Sequence, residues 1–180
     1  MKEQILPEER EEILDRVESR AAAYDYEFSG CGQMVLLSLQ QEFKLPWNPT
    51  VFKSATFFGR GTSGIGGTCG ALAGGVMGLG LAAGRERIED SIYPNAEDKG
   101  ESGFPKSLEL IRKFYRRFIE EVGSLYCREI QTKMMGKSYD PENKVDAANF
   151  LKEGGREKCS KLVGKAARIA AEILLEMPRR

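Results

Sequence analysis

Histidine is absent from this 180-residue chain, which carries 27 lysine and arginine residues and 27 aspartate and glutamate residues. Without an imidazole there can be no Ser-His-Asp or Cys-His nucleophile system, no histidine metal ligand and no C-x-x-C-H haem attachment. Any chemistry of this chain must therefore depend on cysteine, carboxylates, lysine, arginine, tyrosine or a cofactor.

The chain also lacks an excess of either charge, since its formal net charge is zero. A domain that binds nucleic acid is normally basic, so no nucleic-acid partner is expected. The first nine residues, MKEQILPEE, contain no apolar run and no small-residue cleavage site of a secretory signal. We therefore expect a cytoplasmic protein, in which thiols remain reduced and structural disulfides are rare.

Residues 61–84 are free of charge over 24 positions, which is long enough to cross a bilayer. Ten of these positions are glycine, however, and bulky apolar residues are few. A glycine-rich helix buried against other helices is the simpler interpretation, and a membrane span is not expected.

Apolar residues recur at helical spacing through most of the chain, and no repeat or second composition regime is present. The sequence predicts an all-α, single-domain bundle, residues 1–180, with about five main helices. It divides into an N-terminal helix, residues 1–28, and a core that holds all four cysteines, residues 29–176. Residues 51–58 fit a short helix or a strand, and residues 85–106 form a long polar connection.

Glycines recur every fourth residue at Gly66, Gly70, Gly74 and Gly78, so one face of the predicted helix has no side chains. Each interior glycine costs about 0.5–1 kcal/mol relative to alanine, and a close neighbour must offset that cost. The neighbour is either another helix or a cofactor. The G-x-G-x-x-G run at residues 59–64 lacks the strand and the acidic residue of a dinucleotide site.

The four cysteines are Cys31, Cys69, Cys127 and Cys159, and none belongs to a C-x-x-C pair. The patterns place Cys31 and Cys69 at helix N-termini, where free amides and the helix dipole favour thiolate over thiol. Cys127 falls near the end of the fourth predicted helix and Cys159 within the last. A bundle can bring such residues to one interior point, or each can be a small buried apolar side chain.

The segment CGALAG, residues 69–74, matches a CGAxxG signature, with Cys31 before it and the other two cysteines after it. Over residues 22–176 the chain resembles the C-GCAxxG-C-C family of redox-active proteins with four characteristic cysteines. It is also similar to a region of split-Soret cytochromes in which such cysteines are associated with an iron–sulfur centre, although the haem-attachment part is missing. The resemblance implies a redox function without naming a reaction.

On this resemblance, the first hypothesis is an iron–sulfur electron carrier that works with a redox partner protein. Cys31, Cys69, Cys127 and Cys159 would ligate a [2Fe–2S] or [4Fe–4S] cluster, the number of irons being open. Gly67, Gly70 and Gly74 would let backbone amides approach the cluster sulfides. Tetrahedral zinc on the same sulfurs is a structural variant.

Two alternatives remain open. Cys31 and Cys69 can perform metal-free dithiol–disulfide or peroxide-sensing chemistry. The glycine helix can instead belong to a non-catalytic interaction subunit, and a homodimer is compatible with its small-residue ridge. The sequence identifies no catalytic base or substrate pocket, so whether the protein is an enzyme stays open.

Overall fold

The computed structural model of the chain describes residues 6–86 and 103–177. Its helices are Pro7–Phe28 (α1), Cys31–Phe43 (α2), Pro49–Ser54 (α3), Gly59–Thr62 (α4), Gly70–Ala83 (α5), Gly103–Val122 (α6), Cys127–Met135 (α7), Lys144–Lys152 (α8) and Gly155–Glu176 (α9), with a 3₁₀ turn at Thr56–Phe58. The all-α class is confirmed. The number of helices differs from the prediction, because short segments join the five long helices α1, α2, α5, α6 and α9.

The longest helices, α1 and α9, pack along each other, and α9 also contacts α2, α5 and α6. Pro7 lies in the first turn of α1, where its missing N–H costs nothing. Leu14, Val17 and Ala21 form the buried face of α1. The two helices approach closely at Gly164, where a Cβ atom would lie 2.7 Å from the carbonyl oxygen of Glu18.

The glycine-rich helix α5 is buried between α2 and α6. A Cβ atom on Gly74 would lie 2.9 Å from both the carbonyl carbon and the Cα of Gly32 in α2. On the neighbouring face, the fully buried ring of Phe114 occupies the space above Gly75. Close helix packing therefore accounts for these glycines, as one of the two interpretations of the glycine ridge predicts.

The ambiguous residues 51–58 are helical, because Asn48 and Pro49 start α3. The Asn48 side chain accepts a hydrogen bond from the Thr50 N–H at 2.8 Å, which caps the helix. The predicted polar connection falls mostly on residues 87–102, which lie outside the described residues. Among the helices of the two described ranges, none combines the length and hydropathy needed to cross a membrane.

Candidate functional site

The first cysteine lies where the chain turns from α1 into α2. Ser29 and Gly30 adopt φ angles of 60° and 103°, and Cys31 is the first residue of α2. The position predicted for Cys31 is thus confirmed. The Cys31 Cβ lies 3.2 Å from a Cβ atom added to Gly70, so this turn packs against the start of α5; burial raises the pKa of Cys31, and the backbone amide of Arg60 opposes that rise.

The second and third cysteines are held next to each other by a two-way backbone pairing. The Cys69 N–H donates to the Leu125 carbonyl at 2.8 Å, and the Cys127 N–H donates to the Gly67 carbonyl at 2.7 Å. Thr68 and Tyr126 form the antiparallel bridge between these two hydrogen bonds. Residues 58 positions apart in the sequence are therefore fixed in register at the site.

The position predicted for Cys127 near the end of a helix is wrong. Helix α6 ends at Val122, and the following Gly123 has a φ of 83°, which is not compatible with a continuing helix. Cys127 instead begins the separate helix α7. Its sulfur accepts a hydrogen bond from Gln131 Nε2 at 3.6 Å, one turn further along α7.

A left-handed turn at α4 makes room for this pairing. Arg60, Gly61, Thr62 and Ser63 all have φ between 55° and 70°, a conformation that side chains rarely adopt in succession. A Cβ atom on Gly61 would lie 2.5 Å from the Cβ of Cys127 and 2.8 Å from the Gly67 nitrogen. This turn coincides with the G-x-G-x-x-G run of the sequence, in which the missing side chain of Gly61 lets the backbone pack against Cys127.

The four sulfurs act on one another electrostatically. A negative charge on Cys69 raises the pKa of Cys31, Cys127 and Cys159. A negative charge on Cys159, on α9, likewise raises the pKa of Cys31, and a negative charge on Cys127 raises the pKa of Cys159. Geometry places three of them close together, since the Cys31 Cβ lies 3.2 Å from a Cβ atom added to Gly70, next to Cys69, and backbone hydrogen bonds pair the segments of Cys69 and Cys127.

The expectation that helix N-termini make Cys31 and Cys69 thiolates is wrong for the metal-free protein. Burial raises the pKa of Cys31 well above its ordinary value, and it also raises that of Cys69, although the Leu72 and Ala71 amides oppose the shift. Burial raises the pKa of Cys127 to about 11 and that of Cys159 to about 12. Desolvation of the charged form thus outweighs the helix dipole, and the thiols are protonated at neutral pH.

Within residues 6–86 and 103–177, no three cysteine or carboxylate side chains already stand in an arrangement that would hold a metal ion. The chemistry of the donors nevertheless fits a thiophilic centre. Three of the cysteines lie close together, and the backbone amides of Arg60, Ala71 and Leu72 oppose the rise that burial causes in the pKa of Cys31 and Cys69. Amides near a ligated sulfur stabilise its negative charge.

The three glycines predicted as cofactor contacts have protein neighbours. A Cβ atom on Gly70 would meet the Phe58 carbonyl oxygen and lie 3.2 Å from the Cys31 Cβ, and one on Gly74 would meet the backbone of Gly32. Gly67 accepts the Cys127 hydrogen bond. Packing thus explains Gly70 and Gly74, while a direct contact of the three glycines with a cofactor stays a prediction.

One residue of this region is not apparent from the sequence, the buried carboxylate of Asp25 in the last turn of α1. Asp25 is only 5% exposed, and its Oδ2 accepts a hydrogen bond from Ser160 Oγ at 3.0 Å. Its charge raises the pKa of Cys31, Cys69 and Cys159. A negative residue at a helix C-terminus opposes the helix dipole, which was the available signal.

The described structure is all-α and places Cys31, Cys69 and Cys127 at the starts of α2, α5 and α7, and Cys159 near the start of α9. The family model described as "Putative redox-active protein (C_GCAxxG_C_C)" matches residues 29–173. The chain therefore belongs to this redox-active family, as its cysteine motif predicted. Neither the curated proteins nor the solved structures contain a match, so the similarity to split-Soret cytochromes stays a prediction.

Proposed function

We propose that this member of the redox-active family is an electron-transfer protein that holds an iron–sulfur cluster through Cys31, Cys69, Cys127 and Cys159. The observation that carries the proposal is the close placement of three cysteines: backbone hydrogen bonds pair the segments of Cys69 and Cys127, and the Cys31 Cβ lies 3.2 Å from a Cβ atom added to Gly70, the residue after Cys69. Four thiolates are the ligand set of the common [2Fe–2S] and [4Fe–4S] clusters.

The surroundings of the sulfurs support a bound anionic centre. Burial raises the pKa of Cys31 and Cys69, the Arg60 amide and two amides at the start of α5 oppose that rise, and Gln131 Nε2 donates a hydrogen bond to Cys127. The positive charge of Arg60 also lowers the pKa of Cys127 and Cys159 against the effect of burial. When bound, the cluster would supply one-electron chemistry, while these groups would stabilise its sulfur ligands and influence its potential.

An electron carrier needs a partner, and exposed apolar side chains next to the cysteine loops support a redox partner protein. Phe28 is 64% exposed beside the Ser29–Gly30 turn, and Tyr126 is 52% exposed immediately before Cys127. Aromatic residues of this kind are enriched in protein interfaces. A homodimer and a cytoplasmic location remain further predictions of the same account.

Serine variants at each of the four cysteines test the cluster. After anaerobic reconstitution of the full chain with iron and sulfide, every single Cys→Ser variant should lose or strongly destabilise the visible chromophore. Gly80→Ala is the matched control, because it alters the exposed face of α5 without a neighbour within 4 Å. Circular dichroism verifies that the helices persist in each variant. Full iron content and absorbance in three of the four serine variants would overturn the proposal.

Metal-free thiol chemistry is the second candidate, and two observations favour it. All four cysteines are free, and the described side chains are not already arranged around a metal. Oxidation of two neighbouring thiols to a disulfide would release two electrons and two protons to an added disulfide oxidant such as oxidised glutathione. This candidate predicts two fewer free thiols per chain and one mapped intramolecular disulfide after mild oxidation. The iron–sulfur proposal instead predicts that the bound centre protects these thiols.

A further inference from the structure

The turn at residues 59–66 is held in a strained backbone conformation. Arg60, Thr62 and Ser63 have φ angles of 55°, 63° and 56°, and all three residues are exposed. This left-handed region is unfavourable for residues that carry a Cβ atom, and more so for a β-branched threonine. Backbone strain of this kind persists only where the surrounding contacts impose it, and it is concentrated in clamps and switch segments.

The 59–66 turn lies against both of the loops that carry Cys31 and Cys127. A Cβ atom on Gly61 would lie 2.5 Å from the Cβ of Cys127. A Cβ atom on Gly59 would lie 3.9 Å from the Cα of Gly30, the residue before Cys31. Within residues 59–66, Gly61 is the one buried residue. The turn therefore has the cysteine loops on its inner side and solvent on its outer side.

Arg128, the residue after Cys127, holds the end of this turn against α7. Its guanidinium Nη2 donates a hydrogen bond to the Ile65 carbonyl at 2.7 Å, and its Nε donates to the Gly66 carbonyl at 3.3 Å. The backbone N–H of Arg128 donates to the same Gly66 carbonyl at 3.2 Å. Both side-chain hydrogen bonds are exposed, so water competes for the carbonyls and for the guanidinium.

The other contacts that hold the turn are few. The Gly67 N–H donates to the Gly61 carbonyl at 2.9 Å. Pro141 packs on Gly64, where a Cβ atom would lie 2.6 Å from the Pro141 Cγ. A segment with little buried apolar surface and exposed hydrogen bonds opens at a lower free energy than the helical core unfolds.

We propose that residues 59–66 form a gate over Cys31 and Cys127, and that Arg128 is the latch that keeps this gate closed. Opening releases the strain of the left-handed residues and exposes the two thiols, while the helices of the core stay folded. The open gate admits a metal ion during assembly of the site, or a disulfide oxidant. The gate therefore serves either candidate function of the cysteines and depends on neither.

Two variants of the full chain change the gate in opposite directions. Arg128→Gln removes the charge and the forked donors of the latch. Thr62→Gly keeps the turn and removes strain from its closed state, because glycine adopts the left-handed conformation without a steric cost. Arg112→Gln is the matched control, since it removes an exposed arginine of α6.

Access to the thiols is measured in the reduced chain after a chelator has removed any metal. Each protein reacts with N-ethylmaleimide at neutral pH for increasing times, and peptide mass spectrometry quantifies the label on Cys31 and Cys127. Hydrogen exchange of residues 59–67, α1 and α9 is recorded on the protein as purified. Urea unfolding of the labelled series gives the global stability.

We expect both thiols of Arg128→Gln to be labelled about tenfold faster than those of wild type, because the open state gains population when the hydrogen bonds of a charged donor are lost. Thr62→Gly should be labelled several-fold more slowly than wild type. Exchange in Arg128→Gln should be faster in residues 59–67 and unchanged in α1 and α9, with a urea midpoint close to that of wild type. The control should match wild type in every measurement.

Equal labelling rates in Arg128→Gln and wild type would overturn the gate. Faster labelling together with a lower urea midpoint and faster exchange in α1 and α9 would overturn it too, because global unfolding would then expose the thiols. An equal increase in Arg112→Gln would show that the loss of any positive charge is sufficient, and Arg128 would not be a latch. Faster labelling of Thr62→Gly would contradict the release of strain on opening.

Discussion

Gly74→Ala gives the sharpest test of the packing between α2 and α5. The added methyl group would lie 2.9 Å from the carbonyl carbon and Cα of Gly32, and it would also meet the Gly32 carbonyl oxygen. These neighbours are backbone atoms, which cannot rotate away as a side chain can. The two helices must therefore separate, at a cost of about 1–3 kcal/mol and toward the upper end of that range.

The net change in the free energy of unfolding is the cost of separating the helices minus the gain in helix propensity. Alanine in a helix interior gains about 0.5–1 kcal/mol over glycine. Gly74→Ala should therefore lower the free energy of unfolding by about 2 kcal/mol in total. Gly80→Ala, in the same helix with nothing within 4 Å of its Cβ, should raise it by about 0.5–1 kcal/mol.

Urea unfolding of the reduced, metal-free proteins measures both changes. With m values of about 1–3 kcal/mol per molar, the two midpoints should differ by roughly 1 M or more. Equal m values would show that both variants unfold from the same compact state. A midpoint for Gly74→Ala at or above that of wild type would refute the close packing of α5 on α2. In that case a cofactor contact would be the better account of Gly74.

Three further outcomes follow from the site. Gly61→Ala should destabilise the protein and weaken metal retention, because its Cβ would lie 2.5 Å from the Cys127 Cβ. Gly136→Ala, also at positive φ but with no neighbour within 4 Å, is the control for backbone strain. Equal losses of stability in the two variants would contradict the account. The metal-free thiols should react with iodoacetamide more slowly at neutral pH than those of the urea-unfolded chain, because burial raises their pKa values; equal rates would contradict protonated, buried thiols. The metal-free protein should also lose stability as the pH rises from about 9 through 11, because the unfolded chain then releases thiol protons that the folded chain keeps. The folded-state pKa of Cys127 is about 11 and that of Cys159 is about 12. Urea midpoints that do not fall over this pH range would contradict these raised pKa values.

The long helices could be predicted because each carries its own evidence in local sequence. The spacing of Leu14, Val17 and Ala21, for example, marks the buried face of α1. Gly154, which adopts a left-handed conformation immediately before α9, is a similarly local feature. The all-α class needed no long-range information.

The environment of the cysteines could not be derived in the same way. The helical periodicity predicted that the fourth helix extends to Cys127, but the helix ends at Val122, before Gly123. The pairing of Thr68 with Tyr126 is a contact between distant segments, which local patterns do not show. A helix dipole depends only on local geometry. At Cys31 and Cys69 its effect on the pKa is outweighed by burial, which depends on the whole fold.

The burial of Asp25 could not be predicted from the sequence for a related reason. On α1 it lies between Tyr24 and Tyr26, which do not indicate its burial, and only the packing of α1 on α9 shows that its side chain is buried beside Ser160. The glycine spacing of α5 was visible, yet spacing alone did not distinguish a helix from a cofactor as the neighbour. The contact of Gly74 with Gly32 shows that one close neighbour of this face is a helix.

The central claim is that the four cysteines of one chain hold one iron–sulfur centre. It is tested most directly by measuring iron, zinc and acid-labile sulfide per chain, with the visible spectrum, on anaerobically purified protein. The account predicts a coloured protein with iron and sulfide in matching amounts and little zinc. A colourless protein without iron or sulfide, even after reconstitution, would contradict it.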